Sequence, residues 1–283
     1  MKKVIVIAGA TGSGKTDLSI KIAKKINAEI INADAVQVYK ELNIGSAKIK
    51  KEEMEDVKHH LLSIASIEKR YTVYDYQKDA RDKINKIPIS ILVGGTGFYI
   101  KAALFDYNFS SNTFKNYEEL TNEEIYEKII AVDKNIKIDF KNRHRLISAL
   151  NMIDSGELRS NKNRGNKPLY DILIIYLDLN RDALEEKLKL RLEKQFKEGF
   201  LEEALLYKNY NLNIIGYREL NEYFDQKINL KEAKDKIILK SLQYAKRQKT
   251  WFKNQMNILI FDALDKKLHE KVINKIKKFL EIK

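Results

Sequence analysis

The loop Gly9-Ala10-Thr11-Gly12-Ser13-Gly14-Lys15-Thr16 follows directly on the apolar run Val4-Ile5-Val6-Ile7-Ala8, and this pairing restricts the chain more than any other feature. The apolar run predicts a buried strand. Leu18, Ile22, Ala23 and Ile26, at helical spacing after Thr16, predict the helix that the loop feeds. A glycine-rich turn between strand and helix is a phosphate cradle, because backbone N–H groups converge on anionic oxygens and the helix N-terminus adds partial positive charge. In such a cradle Lys15 holds the terminal phosphate and the Thr16 hydroxyl ligates Mg²⁺, which makes Mg²⁺ the expected cofactor.

Strand and helix signals alternate through the first hundred residues, the pattern of a parallel sheet covered on both faces. Residues 28–32 predict a second strand that stops at Ala33-Asp34. Thr72-Val73-Tyr74-Asp75 reads as a capping box, opening a helix whose apolar stripe is Val73, Tyr76, Ala80, Ile84 and Ile87. Residues 88–93 predict a strand running into Gly94-Gly95-Thr96-Gly97, a second glycine turn at a strand C-terminus, where ligands of open α/β sheets collect. From about 106 to 168 the pattern changes to an Asn/Ser cluster at Ser110-Ser111-Asn112 and two short helices, one opened by Thr121-Asn122-Glu123-Glu124. A polar stretch over 160–167, expected to be mobile, closes this insertion. Residues 170–177 predict a strand that rejoins the sheet, and helices follow over about 182–207, 231–254 and 265–280. The fold class expected is α/β, a P-loop nucleotide-kinase-like parallel sheet flanked by helices. Its core is expected to take residues 1–110 and 170–283, and residues 111–169 to form a helical insertion.

Composition narrows the partners. With 44% hydrophobic and 33% charged residues and only two prolines, the chain is that of an ordered, helix-rich protein. No apolar run approaches the ~20 residues of a membrane span, and no signal-peptide pattern precedes the first strand, so a cytoplasmic protein is expected. The absence of cysteine excludes disulfides, thiolate chemistry and cysteine-ligated zinc. A net charge of +13 points to a polyanionic partner. Residues 141–167 carry seven basic and two acidic side chains, and residues 241–283 carry eleven basic and four acidic.

Four further clusters follow the loop: Asn32-Ala33-Asp34-Ala35-Val36-Gln37-Val38-Tyr39, His59-His60-Leu61-Leu62, Gly94-Gly95-Thr96-Gly97-Phe98-Tyr99 and Ile215-Gly216-Tyr217-Arg218-Glu219. A fifth is Tyr244-Ala245-Lys246-Arg247-Gln248-Lys249-Thr250-Trp251-Phe252. In this order, from the N-terminus to about Lys253, the set resembles the tRNA dimethylallyltransferases, also called tRNA isopentenyltransferases, of bacterial type. The resemblance implies prenyl transfer from dimethylallyl diphosphate to N6 of the adenine 3′ of the anticodon, in tRNAs reading codons that begin with U. It also implies that residues 9–16 bind the diphosphate rather than drive nucleotide hydrolysis, that Asp34 is the base and that Thr96 stands beside the reacting centre. Asp34, Ala35, Val36 and Gln37 match the stretch that handles the extruded base, and the prenyl tail is expected in an apolar tunnel closed to water.

Physical chemistry fits those roles. Diphosphate is the leaving group, so Mg²⁺, Lys15 and the loop amides stabilise charge that grows as the allylic C–O bond breaks. A carboxylate in reach accepts the proton of the weakly nucleophilic exocyclic amine. The Arg218 guanidinium suits two phosphate oxygens at once, or else an ion pair with Glu219. Lys246, Arg247, Gln248 and Trp251 lie on one helix; Arg247 and Trp251, four residues apart, share a face suited to phosphates and unstacked bases, although Trp251 suits a core equally. His144 and Arg145 in the basic insertion complete the expected tRNA contacts. His59-His60 has neither the spacing nor the company of a metal site and is assigned to structure or RNA packing. No protein partner is called for, and a monomer is expected.

Several positions depart from the family pattern. Asn142 stands where aspartate is usual, Ser148 for arginine, Asn151 for glutamate and Ser63 for aspartate, and no arginine occurs early in the insertion, between Asp106 and Leu120. These changes leave the loop, Asp34 and Thr96 intact, so chemistry should be retained and the grip on tRNA altered. Two other enzymes share the features: a P-loop small-molecule kinase, for which Asp178 after the 170–177 strand is the candidate Mg²⁺ carboxylate, and a prenyltransferase acting on free AMP. A non-catalytic RNA-binding protein retaining the loop is the third reading.

Overall fold

The computed structural model describes residues 1–109, 115–160 and 166–282. The cluster at 110–112 and most of the polar stretch at 160–167 therefore lie outside the described residues. Two compact units emerge, one made of Met1–Phe105 with Pro168–Lys283, the other of Asp106–Lys167.

In the first unit six strands form one parallel sheet: β1 (Lys3–Gly9), β2 (Glu29–Asn32), β3 (His59–His60), β4 (Ser90–Gly94), β5 (Asp171–Asp178) and β6 (Leu259–Asp262), in the order β3-β2-β4-β1-β5-β6. Because side chains alternate across a strand, β1 feeds two cores at once. Val4, Val6 and Ala8 pack with Tyr76, Ala80 and Ile84 of α2 (Val73–Lys86), with Tyr99, Ile100 and Ala103 of α3 (Gly97–Leu104), and with Phe252 of α9 (Leu230–Gln255). Ile5 and Ile7 pack on the other face with Leu18, Ile22 and Ala23 of α1 (Lys15–Ile26) and Val272, Ile273 and Ile276 of α10 (Leu268–Leu280).

The Thr72 box forms as expected: Asp75 N donates to Thr72 Oγ1 at 3.2 Å and Thr72 N donates to Asp75 Oδ2 at 2.8 Å. The single helix expected over 182–207 is instead two, α6 (Arg181–Lys197) and α7 (Phe200–Leu206). Gly199, at φ 100°, turns the chain between them, a left-handed conformation that glycine adopts without steric cost. After the short α8 (Tyr217–Phe224), the 26-residue α9 packs along α6 and α8 and closes a third core around Leu184, Leu188, Phe200 and Ile237.

The second unit is built on α4 (Asn122–Val132) and α5 (Arg143–Asp154), with Ile125, Ile129, Leu146 and Leu150 between them. The Thr121 box is formed by Glu124 N donating to Thr121 Oγ1 and Thr121 N to Glu124 Oε2. Two of the departures from the family pattern have local work here. Asn142 caps α5, accepting from Arg145 N at 3.2 Å. Asn151 pairs both ways with one residue, accepting from Lys115 N at 2.7 Å and donating to Lys115 O at 2.8 Å, which an amide can do and an ionised carboxylate cannot.

Candidate active site

Three adjacent parallel strands end together, and their C-terminal ends make the site. β1 leads into the phosphate loop, its neighbour β4 into Gly94-Gly95-Thr96, and β2, beyond β4, into Ala33-Asp34. Gly12 and Gly14 sit at φ 83° and 80°, and no side chain caps α1, so its first amides face the loop. The Ser13 hydroxyl is buried without a partner, and Lys15 Nζ folds back onto the Ala10 carbonyl at 2.7 Å. Burial lowers Lys15 to about 8, against the pull of the Asp34 charge and assisted by Arg191. Unused amides, an orphaned hydroxyl and an ammonium held by a single carbonyl fit an anion carrying several acceptor oxygens.

Asp34 and Thr96 are tied together by backbone. Ala35 N donates to Thr96 Oγ1 at 3.0 Å and Thr96 N donates to Ala33 O at 3.1 Å. Asp34 Oδ1 accepts from Val36 N at 2.9 Å and Gln37 N at 3.4 Å, a turn that holds the carboxylate and leaves Oδ2 for other work. Gln37 Nε2 donates to Ser46 O at 3.3 Å and Ala47 O at 3.4 Å.

A cleft of about 400 Å³ opens over these strand ends, lined by Thr11, Asp34, Ala35, Val36, Thr96, Arg218 and Arg247 of the residues singled out from sequence. Leu188, Leu192, Phe200, Ile214 and Ile237 make an apolar wall, while Arg191, Arg218, Lys240 and Arg247 bring positive charge to the lining that Asp34 shares. Arg218 makes the ion pair with Glu219. Its Nε and Nη2 donate to Glu219 Oε1 at 3.0 and 2.6 Å, and the guanidinium still borders the cleft. Glu219, 1% exposed, also accepts from Gly216 N at 2.7 Å.

Sequence reasoning missed Arg191. This side chain of α6 donates to Ser46 O at 3.2 Å and lies close enough to Asp34 for the carboxylate to raise its proton affinity, while burial lowers it. The signal was present: α6 buries Leu184, Leu188, Leu192 and Gln195, and Arg191 stands three residues from Leu188, a charge beside an apolar stripe.

Two residues of α9 expected at the tRNA are drawn toward the interior. Gln248 is 7% exposed and donates to Gly95 O at 2.7 Å, so it braces the glycine turn. Trp251 is half-buried and lies across Gly97, where a Cβ would stand 2.2 Å from its ring, making this residue part of the core. Lys246 and Arg247 are exposed, and Arg247 lies 5.8 Å from the Tyr244 ring centroid. His144 and Arg145 belong to the second unit, exposed in the first turn of α5. His59 Nδ1 is 2.8 Å from Val57 O and His60 Nε2 2.5 Å from Glu29 Oε2, both structural contacts.

Ser63 bears on the same loop. Lys48 Nζ donates to Tyr39 O, Asn43 Oδ1 and Ser63 Oγ at 2.5, 2.9 and 2.9 Å. Burial lowers this amine to about 8, with Glu203 and Glu41 pulling the other way. Ser63 itself sits at φ 53°, a conformation that Asp tolerates better than Ser. Ser63→Asp is therefore expected to stabilise the protein by about 1–2 kcal/mol near neutral pH through a charge-assisted bond. Between about 8 and 10.5 the unfolded state holds more of the Lys48 proton than the folded one, so stability rises with pH in that window. The variant should show a smaller rise, read by urea unfolding at about pH 7 and about pH 9.5; an unchanged midpoint would remove Lys48 as the cause.

Comparison with known proteins places this site in a family. The IPP transferase family model matches residues 37–255. The chain is 47% identical to a tRNA dimethylallyltransferase of Acholeplasma laidlawii over the full length of both, and 49% identical to one of Phytoplasma australiense over 99% of each. Among solved structures it resembles the tRNA isopentenylpyrophosphate transferase of Bacillus halodurans, with a TM-score of 0.77 at 31% identity over 99% of this chain and 97% of that one. It also resembles a eukaryotic dimethylallyltransferase captured acting on tRNA, with a TM-score of 0.87 at 25% identity over 99% of this chain and 80% of the other. By sequence along its whole length and by fold, the chain belongs to the IPP transferase family.

Proposed function

We propose that this protein transfers a dimethylallyl group from dimethylallyl diphosphate to N6 of the adenine 3′ of the anticodon, in tRNAs reading codons that begin with U. The observation that carries the reading is one cleft in which Thr11 of the phosphate loop, the Asp34 carboxylate and an apolar wall meet. The diphosphate lies on the amides of residues 9–16, with Lys15, Arg191 and Arg218 as counter-charges, and the allyl chain lies against Leu188, Leu192 and Ile237. As the C1–O bond breaks, the electron pair leaves with diphosphate; N6 bonds to C1 and its proton passes to Asp34. The Thr16 hydroxyl, with diphosphate oxygens, would hold Mg²⁺, whose contribution is neutralisation of the leaving group. Extrusion of the adenine from its loop stack precedes the step, and Arg145, Lys246 and Arg247 supply exposed charge, with the exposed His144 ring beside Arg145 in sequence, for tRNA phosphates. Such an enzyme works in the cytoplasm, where its substrate is.

The kinase alternative is less well served. β4 ends in glycines where that chemistry needs a carboxylate, and Asp178 is engaged by Lys249 Nζ at 2.6 Å. The deciding experiment incubates the protein with labelled dimethylallyl diphosphate, Mg²⁺ and either unmodified tRNA or AMP. Label is expected in tRNA adenosine; label in AMP alone, or none in either, overturns the proposal.

A further inference from the structure

Residues 43–46, of which Gly45 and Ser46 line the cleft, belong to no strand, yet α6 and α7 hold their backbone. Three successive amides point at one carboxylate. Glu203 Oε2 accepts from Asn43 N at 3.0 Å and Ile44 N at 2.9 Å, and Oε1 accepts from Gly45 N at 2.9 Å. Oε1 also accepts from the Tyr217 hydroxyl at 2.5 Å. Consecutive N–H groups turned the same way form an anion-binding nest, and here the anion is a side chain of the protein itself. From the other edge of the same peptides, Gln195 Nε2 donates to Ile44 O at 2.6 Å and Gly45 O at 3.0 Å. Gly45 leaves no slack, since a Cβ there would stand 2.2 Å from the Phe200 ring.

What this clamp sets is the Ser46 carbonyl, next along the chain. That oxygen accepts from Arg191 Nη2 at 3.2 Å and from Gln37 Nε2 at 3.3 Å, and so joins a cation of the diphosphate side to the side chain assigned to the extruded base. We propose that Glu203, with Gln195, is a positioning residue for prenyl transfer, fixing Gln37 and Arg191 in register through the Ser46 carbonyl. Neither clamp residue is among those lent a role by the family resemblance, and Glu203 touches no reacting atom. The inference rests on the prenyl-transfer reading above.

Coupling, not loss of activity alone, is the test, because residues that act through one another are non-additive. Glu203→Gln keeps the side chain's size but replaces one acceptor oxygen with a donor, so at least one of the loop or tyrosine bonds is lost. In single-turnover transfer to tRNA it is expected to lower the rate at least about tenfold. In a Gln37→Ala/Arg191→Met background the same change should cost less than about threefold, because both residues being positioned are already gone. Gln195→Ala, which releases the loop's carbonyls instead, should behave the same way and serves if Glu203→Gln does not fold. Equal fold losses in both backgrounds would mean that the clamp only supports the fold, and would overturn the proposal; so would a Gln37→Ala enzyme as fast as wild type. Wild-type transfer to tRNA is measured alongside: if it is absent, the prenyl-transfer reading itself falls, and if it is present with additive losses, only the positioning role does.

Discussion

Asp34→Asn is expected to slow prenyl transfer roughly 10²–10⁴-fold, the range lost with a general base, while the fold and both substrate affinities stay close to wild type. Asparagine is the informative replacement because of how the carboxylate is held. Oδ1 already accepts from Val36 N and Gln37 N, and an amide oxygen can keep both bonds. Oδ2, the oxygen available to take the N6 proton, becomes an NH₂ that cannot. Alanine would remove the base and the turn together, confounding chemistry with the path of residues 34–37. Single-turnover rates with saturating dimethylallyl diphosphate and tRNA, set beside tRNA binding, give the answer. A rate within threefold of wild type would strip Asp34 of the base role and leave it a strand-end cap.

The place of Asp34 behind a strand end could be read from the sequence because its signals are local. A short apolar strand, its abrupt end and the acid behind it are neighbours in the chain, as are the phosphate loop and the capping boxes at Thr72 and Thr121. Boundaries that depend on one backbone torsion were not legible: nothing in the periodicity of 182–207 says that Gly199 breaks the helix rather than being carried within it. β6 escaped notice for another reason. It is a four-residue edge strand whose Leu259 and Ile260 remain 38% and 44% exposed, so it carries no buried-strand pattern. The burial of Gln248 and Trp251 has a common origin in Gly95 and Gly97, whose missing side chains make room for both residues. A glycine announces a tight approach but not which distant residue approaches. Glu203 belongs to the same class, since a carboxylate on an exposed-looking helix becomes an anchor only once three amides 158–160 positions away are brought to it.

Arg191→Met should separate activity from stability in opposite directions. Removing one preorganised positive group from a leaving diphosphate is expected to lower kcat/KM for dimethylallyl diphosphate roughly 10²–10³-fold. Stability should be unchanged or higher, because Arg191 is a cation that burial disfavours, placed next to Leu188 and Leu192, where a thioether of similar length packs without loss. The change forfeits the bond to Ser46 O and the attraction to Asp34, but Gln195 and Glu203 still hold the preceding peptides. Arg191→Lys keeps the charge but not the planar fork, so it should recover part of the rate and little of the diphosphate affinity. Inhibition by inorganic pyrophosphate, measured beside thermal unfolding, distinguishes the outcomes. If Arg191→Met binds pyrophosphate as tightly as wild type, the guanidinium belongs to the wall and not to the leaving-group site. If it binds weakly and melts higher, the buried charge is a cost that the fold bears because the departing diphosphate requires it.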